Sequence, residues 1–398
     1  MKSFDILSIR EYFPSPENPS ASTWVYNQAK GIQQFNTSLL VLSPTPQIPT
    51  WLTQIMKSKH AWKIQSQTDI HEYNGVKVMR PPFYKLPNKY FFDFNIRQVS
   101  NCILKQSEKI NFKLIHAHFG HAGVASLPLK KKSNKPLITS FYGFDLGSDK
   151  DRLRKYYKNL SSQGDLFLAL SDDMANDLTD LNFPSSRVVV HHLGVDVGKF
   201  ALSPEKNKDI FTFTIVASFV EKKGIQFVIA AFKTFMNGKD SNKFQLRLVG
   251  DGEFYHELKS QAMGCDNIIF VNNFITNNPR ETVAEEMRLA DVFLLTSVTS
   301  AEGDKEGTPI VLMEAQACGK PCISSFHAGI PEVVINGVTG TLVEERDITK
   351  ITEAMELLFS NKTLRLNYAE AARNHINKNF NNNIQIELLN NIYKKFII

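Results

Sequence analysis

Residues 291–324 read DVFLLTSVTSAEGDKEGTPIVLMEAQACGKPCIS. The apolar run 291–295 has the length of a buried strand, a polar loop follows it, and 308–318 have the apolar content of a helix. Thr308 suits the helix cap, and Pro309 suits the first helical position, where no backbone donor is needed. Gly319 ends the helix and Pro321 starts a second apolar run, 321–324. Strand, helix and strand in this order predict a unit of parallel sheet.

The same alternation extends in both directions. Upstream in the second half, runs 211–217, 245–250 and 268–271 read as strands, and 224–236, 253–263, 279–290 and, downstream, 349–360 read as helices. In the first half, runs 4–9, 38–43, 113–118, 136–141, 166–170 and 187–192 are separated by amphipathic stretches such as 23–34 and 95–110. The expectation is an α/β chain of two Rossmann-like, doubly wound parallel-sheet domains, 1–200 and 201–375, with ligands in a cleft outside the strand ends. A polar linker containing Pro204 spans 199–209. The end of the chain reads as two helices broken at 379–383, and 376–398 either caps the second domain or crosses back to the first.

Composition sets the outer limits. With 398 residues, 42% hydrophobic and 22% charged, the chain is neither disordered nor fibrous, and is long enough for two cores. Four cysteines support no disulfide framework or zinc ribbon. The opening apolar run stops at Arg10 and Glu11, too short for a signal peptide, and no run approaches a membrane span, so a soluble cytoplasmic protein is expected. Residues 1–200 hold 25 lysines and arginines against 16 acids, while 201–398 hold 21 against 24. A basic half suits an anionic partner such as lipid headgroups; it is also within ordinary charge fluctuation.

A helix that starts where a strand ends offers free N–H groups and a positive dipole end to a phosphate. Gly307 permits close approach of a ligand to the backbone. Glu306 precedes the helix and Glu314 lies about 9 Å along it. Two such carboxylates could bond hydroxyls at both ends of a sugar-diphosphate-ribose, although the same residues also read as a capped helix with surface glutamates. Gly250-Asp251-Gly252, after a strand, is a modest indication of a nucleotide-binding loop.

Glu306, Gly307, Pro309, Glu314, Ala315, Gly319 and Pro321, with Gly329-Ile330-Pro331-Glu332 and Gly337-Val338-Thr339-Gly340, resemble the E-x7-E signature of retaining family 4 glycosyltransferases, which have the GT-B fold. The similarity continues through Ile115–Gly120, Ser140–Asp145, Gly194–Asp196, Glu221–Gly224 and Gly250–Gly252. With Ser297-Val298-Thr299, the chain looks most like exopolysaccharide and lipopolysaccharide transferases of the colanic-acid type.

The resemblance implies transfer of a hexose from a nucleotide-diphospho-sugar, UDP- or GDP-linked, to an acceptor hydroxyl, without metal or other cofactor. Glu306 would contact the donor sugar and Glu314 the ribose. The backbone of Gly307, Thr308, Pro309 and Ile310 would cradle sugar and phosphate, and Lys223, with Lys222, would neutralise the leaving diphosphate. Ser218, Gly250 and Gly252 fall at the donor loops. His118, Tyr142, Asp145, Ser22 and Thr23 fall on the acceptor side. Three positions depart from the family pattern: Ser218 stands where an arginine is usual, Tyr142 where a histidine is frequent, and 18–23 where a Gly-Gly pair is usual.

Other features read more weakly. His116, His118 and His121 could be written as a metal cluster, but 116 and 118 share a strand face in a region resembling the cleft wall, and no metal is expected. Residues 83–97 interleave aromatics with Lys85, Lys89 and Arg97, and Lys130–Lys132 add a basic loop. Both suit an anionic membrane surface or an aromatic helix packed on the core. No nucleic-acid motif accompanies them. A lipid-linked saccharide is the acceptor expected; a nucleotide-sugar epimerase or hydrolase, or a non-catalytic partner of an assembly complex, would use the same donor site.

Overall fold

The apolar runs of the first half lie side by side as strands. A computed structural model describes residues 2–19, 21–47, 66–147, 149–202, 209–272 and 279–397. Its first unit comprises Met1–Asp145, Asp149–His191 and Ile386–Ile398; its second comprises Leu146–Ser148 and His192–Gln385. Of the linker 199–209, residues 203–208 lie outside the described residues.

In the first unit, β1 (Lys2–Ile9), β2 (Leu39–Leu42), β4 (Gln67–Tyr73), β5 (Val76–Arg80), β7 (Ile110–His118), β8 (Leu137–Ser140), β9 (Leu166–Ala169) and β10 (Val188–Val190) form a sheet ordered β10-β9-β8-β7-β1-β2-β5-β4. Short strands β3 (Thr45–Gln47) and β6 (Pro82–Tyr84) pair separately. The sheet is parallel except at its edge, where β4 runs antiparallel to β5. Asn74 and Gly75 join these two strands with φ of 48° and 84°, the left-handed pair that a tight hairpin needs. This hairpin departs from the all-parallel expectation.

Helices α1 (Thr23–Ile32), α2 (Asn88–Ser107), α3 (Gly120–Ser133), α4 (Lys150–Gln163) and α5 (Asp172–Asp180) connect the strands. The core joins Ile6, Val41, Ile138 and Leu168 of the sheet to Val25 and Ile32 of α1.

In the second unit, β11 (Phe211–Val216), β12 (Phe244–Val249), β13 (Ile268–Val271), β14 (Val292–Leu295), β15 (Cys322–Ser325) and β16 (Gly340–Val343) form a sheet ordered β13-β12-β11-β14-β15-β16, with every pairing parallel. Successive residues point to opposite faces, and both faces are apolar. Ile215, Leu248 and Leu294 pack beneath Val228 and Phe232 of α6 (Ile225–Phe235) and Met355 and Leu358 of α11 (Ile348–Ser360). Val216, Val249 and Leu295 pack on the other side, against Leu312 and Met313 of α9 (Ile310–Ala317) and Ile376 of α12 (Lys362–Asn379). Helices α7 (Tyr255–Ala262), α8 (Pro279–Leu289) and the short α10 (Ile330–Val333) complete the connections.

The last helix, α13 (Asn382–Lys394), places Ile386, Leu389 and Tyr393 in the core of the first unit. Their i, i+3, i+7 spacing puts them on one helix face.

Both sheets have a point where the winding reverses: between β1 and β7 in the first unit, and between β11 and β14 in the second. Loops that leave neighbouring strand ends in opposite directions open a crevice there, where α/β sheets bind ligands.

Candidate functional site

At the reversal point of the second unit, the chain leaves β11 through Ala217–Phe219 and makes a 3-10 turn at Glu221–Lys223. Gly224 follows with φ of 64°, and a Cβ there would stand 2.0 Å from Thr296 O, so only glycine lets the turn lie against the loop after β14. Backbone and side chains then join the two loops. Val298 N–H donates to Lys222 O at 2.8 Å, and Ala301 N–H donates to the Glu221 carboxylate at 3.1 and 3.2 Å. Lys222 Nζ lies 2.8 Å from Asp304, and Lys223 Nζ lies 2.5 Å from Glu306 Oε1, with side-chain exposures of 14% and 9% in the second pair. Burial pushes the Glu306 carboxyl upward, but the charge and hydrogen bonding of Lys223 more than offset this and hold it below the ordinary carboxylate range.

Glu306 is also anchored through its backbone. Its N–H donates to His327 Nε2 at 3.0 Å, while His327 Nδ1 lies 2.6 Å from Glu345 Oε1. An imidazole that accepts at Nε2 carries its proton on Nδ1, so these partners assign the tautomer in which Nδ1–H donates to Glu345. Glu345 Oε2 accepts the Thr299 N–H at 3.0 Å, which closes the link back to the loop after β14. Sequence reading missed His327 and Glu345; their one sign is position, after β15 and β16, beside the reversal point.

The remaining donor-loop residues are arranged around this pair. Gly250 and Gly252 let the loop after β12 pass the loop after β11, since Cβ atoms there would lie 1.9 Å from Ala217 O and 2.4 Å from Phe219 O. Ser218 is exposed, Thr308 and Pro309 are buried, and Gly307, Ile310 and Glu314 are half-buried. The expected cap is corrected: α9 starts at Ile310, with Pro309 as the boundary residue and no side-chain cap, because Pro309 holds an extended ψ of 111°. Gly319, with φ of 70°, ends the helix as expected.

At the reversal point of the first unit, β1 delivers Arg10 and Glu11, and β7 delivers His116 and His118. Tyr142 Oη is 2.9 Å from His118 Nδ1; His116 Nε2 is 2.8 Å from Ser140 Oγ and its Nδ1 is 2.6 Å from Tyr393 Oη. The two imidazole centroids are 4.1 Å apart. Burial pulls both rings toward the neutral form, reinforced by His191 at His116, which falls to about 3, and by His116 and Arg10 at His118. His121 behaves oppositely. Burial lowers it, but the Asp145 and Glu11 carboxylates, 3.9 and 3.4 Å from its ring nitrogens, outweigh that and raise it to about 9.

Asp145 accepts the N–H groups of Gly120 at 3.0 Å and Tyr142 at 2.9 Å, and lies 3.9 Å from His121. It therefore frames the loops around His118 and Tyr142. Ser22, at the start of α1, accepts from Arg10 Nε at 2.8 Å, and Thr23 beside it is buried. Arg10, Glu11 and Tyr393 were not singled out by sequence as site residues, and His121 was named only as a member of a possible histidine cluster. A charged pair ending an apolar parallel strand was the available sign for the first two.

The family described as "Glycosyltransferase Family 4" matches residues 21–199, and "Glycosyl transferases group 1" matches 199–375. The putative colanic acid biosynthesis glycosyltransferase WcaL of Escherichia coli is 34% identical over 247 residues, which are 60% of this chain and 59% of that relative, so less than two thirds of its length is matched. Among solved structures, sucrose-phosphate synthase from Thermosynechococcus elongatus aligns with a TM-score of 0.76 at 16% identity, covering 99% of each chain. HepE of Anabaena, in complex with UDP and glucose, aligns at 0.72 and 16%, covering 98% of this chain and 100% of that one.

Proposed function

Because this chain belongs to the family 4 glycosyltransferases of the GT-B fold, we propose that it moves a hexose, with retention of configuration, from a UDP- or GDP-sugar to a lipid-linked saccharide during surface polysaccharide assembly. The observation that carries this reading is the Lys223–Glu306 pair at the reversal point of the second sheet. It presents a cation for a leaving diphosphate and a carboxylate for sugar hydroxyls or the positive charge that grows on the anomeric carbon. Bound UDP and glucose in the similar HepE support a nucleotide-sugar donor, and the name of WcaL supports an extracellular polysaccharide as product.

In this reading Glu306 positions the donor sugar, and Glu314 holds the ribose. The backbone of 307–310 faces sugar and phosphate, with the loops at Ser218, Gly250 and Gly252 alongside. Lys222 and Lys223 exchange their carboxylate partners for diphosphate oxygens, a clamp that needs no metal. His327, held by Glu345, keeps the Glu306 backbone in place. Ser22, Thr23, His118 and Tyr142 receive the acceptor, and Asp145 fixes the loops that carry the last two.

Association with the inner face of the cytoplasmic membrane is part of the proposal. Among the described residues no helix is long and apolar enough to cross a membrane. Tyr84, Phe91 and Phe94 are 64%, 44% and 39% exposed, beside Lys85 and Arg97. Aromatic rings next to cations suit an anionic interface.

A thermal-shift screen against UDP-, GDP-, ADP- and CDP-sugars, with and without EDTA, tests the donor assignment. Stabilisation by one nucleotide class, unchanged by EDTA, is expected. No shift with any at millimolar concentration counts against it. Donor hydrolysis or epimerisation without acceptor, at the rate of the best transfer, would reassign the reaction.

A further inference from the structure

In the second unit, both ends of the loop that follows β14 are tied to one carboxylate. Glu345, just past β16, accepts four hydrogen bonds. Thr299 N–H at 3.0 Å and Arg346 Nη1 at 2.9 Å donate to Oε2, and His327 Nδ1 at 2.6 Å and Thr299 Oγ1 at 3.3 Å donate to Oε1. Four is the full capacity of an ionised carboxylate. Partial burial pushes this carboxyl upward, but the bonds hold it below the ordinary carboxylate range. Thr299 stands at the start of the loop and Glu306 at its end. The Glu306 N–H reaches Glu345 through His327, whose side chain is 1% exposed. Arg346 adds a bond from Nη2 to Thr299 O, so both backbone groups of Thr299 are held by neighbouring residues.

Between its ends the loop is bonded to itself. Ser300 N–H donates to Asp304 O at 3.0 Å, Gly303 N–H to Ser300 O at 2.9 Å, and Asp304 N–H to Ser300 Oγ at 3.0 Å. A segment braced in this way takes its position from its two ends. The backbone at Arg346 carries a second sign. Its φ of 67° lies in the left-handed region, which glycine occupies freely and an arginine does not. Glycine there would relax the turn; what arginine adds is the guanidinium on Thr299 and Glu345. Folding stability does not account for it, because the Arg346 and Glu345 side chains are 47% and 23% exposed, and pairs so open to water contribute little. Strained backbone of this kind collects where a site must be held in one geometry.

We propose that Glu345 and Arg346 are positioning residues for transfer: they staple both ends of the loop 299–306 and, through His327, set the place of Glu306 against the donor sugar. The proposal rests on the reading of Glu306 as the donor-sugar contact. In that reading the diphosphate draws Lys222 from Asp304 and Lys223 from Glu306, so the loop loses a contact in its middle and Glu306 loses its side-chain partner. The staple makes no contact with either lysine in the bonds given above, and it keeps the Glu306 backbone in place while the lysines move.

The experiment compares wild-type protein with Glu345→Ala, Glu345→Gln and Arg346→Gly by hydrogen exchange, thermal melting, UDP and GDP binding, and turnover of UDP- and GDP-sugars. Without ligand, Glu345→Ala should speed exchange of the Thr299 and Glu306 amides at least about tenfold, with β14 and β15 unchanged. Its kcat should fall at least about tenfold while the affinity for the free nucleotide stays within about twofold, since the loss is one of orientation. Glu345→Gln, which keeps one acceptor oxygen, should fall between the two. Arg346→Gly should melt no lower than wild type, because it relaxes the backbone, yet lose kcat at least about threefold. Unchanged exchange in Glu345→Ala overturns the staple. Faster exchange with wild-type kcat overturns its role in transfer, and so does an Arg346→Gly protein whose melting temperature and kcat fall together. If wild-type protein turns over none of these sugar nucleotides, the transferase reading fails, and exchange still decides whether the staple holds the loop. If Glu345→Ala does not fold, Glu345→Gln and Arg346→Gly decide.

Discussion

Tyr393 Oη stands 2.6 Å from Nδ1 of His116, so the last helix ends within the polar network at the strand ends of the first sheet. The two residues are 277 positions apart in sequence. Tyr393→Phe keeps the ring packing and removes the hydroxyl, leaving a buried ring nitrogen without its partner. Urea unfolding should report a loss of about 1–3 kcal/mol; a loss of only a few tenths would mean that the bond contributes nothing to folding.

Lys223 and Glu306 are the strongest test of the donor site. Glu306→Ala and Lys223→Ala should each lower transfer at least about 100-fold while leaving the circular dichroism spectrum unchanged. Each single variant leaves one poorly hydrated charge behind, so the double variant should be less destabilised than the two singles added together, with a coupling of about 1 kcal/mol or more. Wild-type rates in both single variants would remove the pair from the reaction.

His121 makes stability depend on pH in the alkaline range. Its pKa is raised in the folded state to about 9, above an ordinary value of 6.5, because Asp145 and Glu11 bond its charged form. A raised pKa contributes fully below the unfolded value and is lost as pH climbs through the folded one. Wild-type stability should therefore fall between pH 6.5 and about 9.5, by up to about 3 kcal/mol, relative to His121→Gln. Parallel pH profiles of the two proteins would show that the imidazole carries no charge there.

The membrane proposal separates two basic-aromatic regions. Lys130 is bonded to Asp165, and Lys132 is 2.6 Å from Glu108, so two of the three lysines at the end of α3 already have carboxylate partners. Replacing Tyr84, Phe91 and Phe94 together by serine should weaken sedimentation with phosphatidylglycerol vesicles more than replacing Lys130, Lys131 and Lys132 by glutamine. The reverse order would move the contact to the lysines.

Apolar runs made the two sheets legible, because parallel strands buried on both faces leave little room for polar residues. The β4–β5 hairpin was missed although Asn74-Gly75 is a strong turn pair; β4 is an exposed edge strand and lacks the apolar run that marked the others. Strand β16 is four residues long and starts at a glycine, so it too lacked an apolar run. In the site, Lys223 and Glu306 were legible as residue types at loop positions. Their pairing, and the His327–Glu345 support beneath it, depend on which strand ends become neighbours, which no local pattern encodes.

Ile386, Leu389 and Tyr393 close a core whose other members, such as Ile6 and Val41, lie at the opposite end of the chain. During synthesis the first sheet is therefore made early, yet its last apolar surface stays uncovered until α13 has been made. A nascent chain stalled anywhere short of α13 would expose that surface to chaperones or to other unfinished copies, and the emergence of α13 is the step at which the first unit completes its folding.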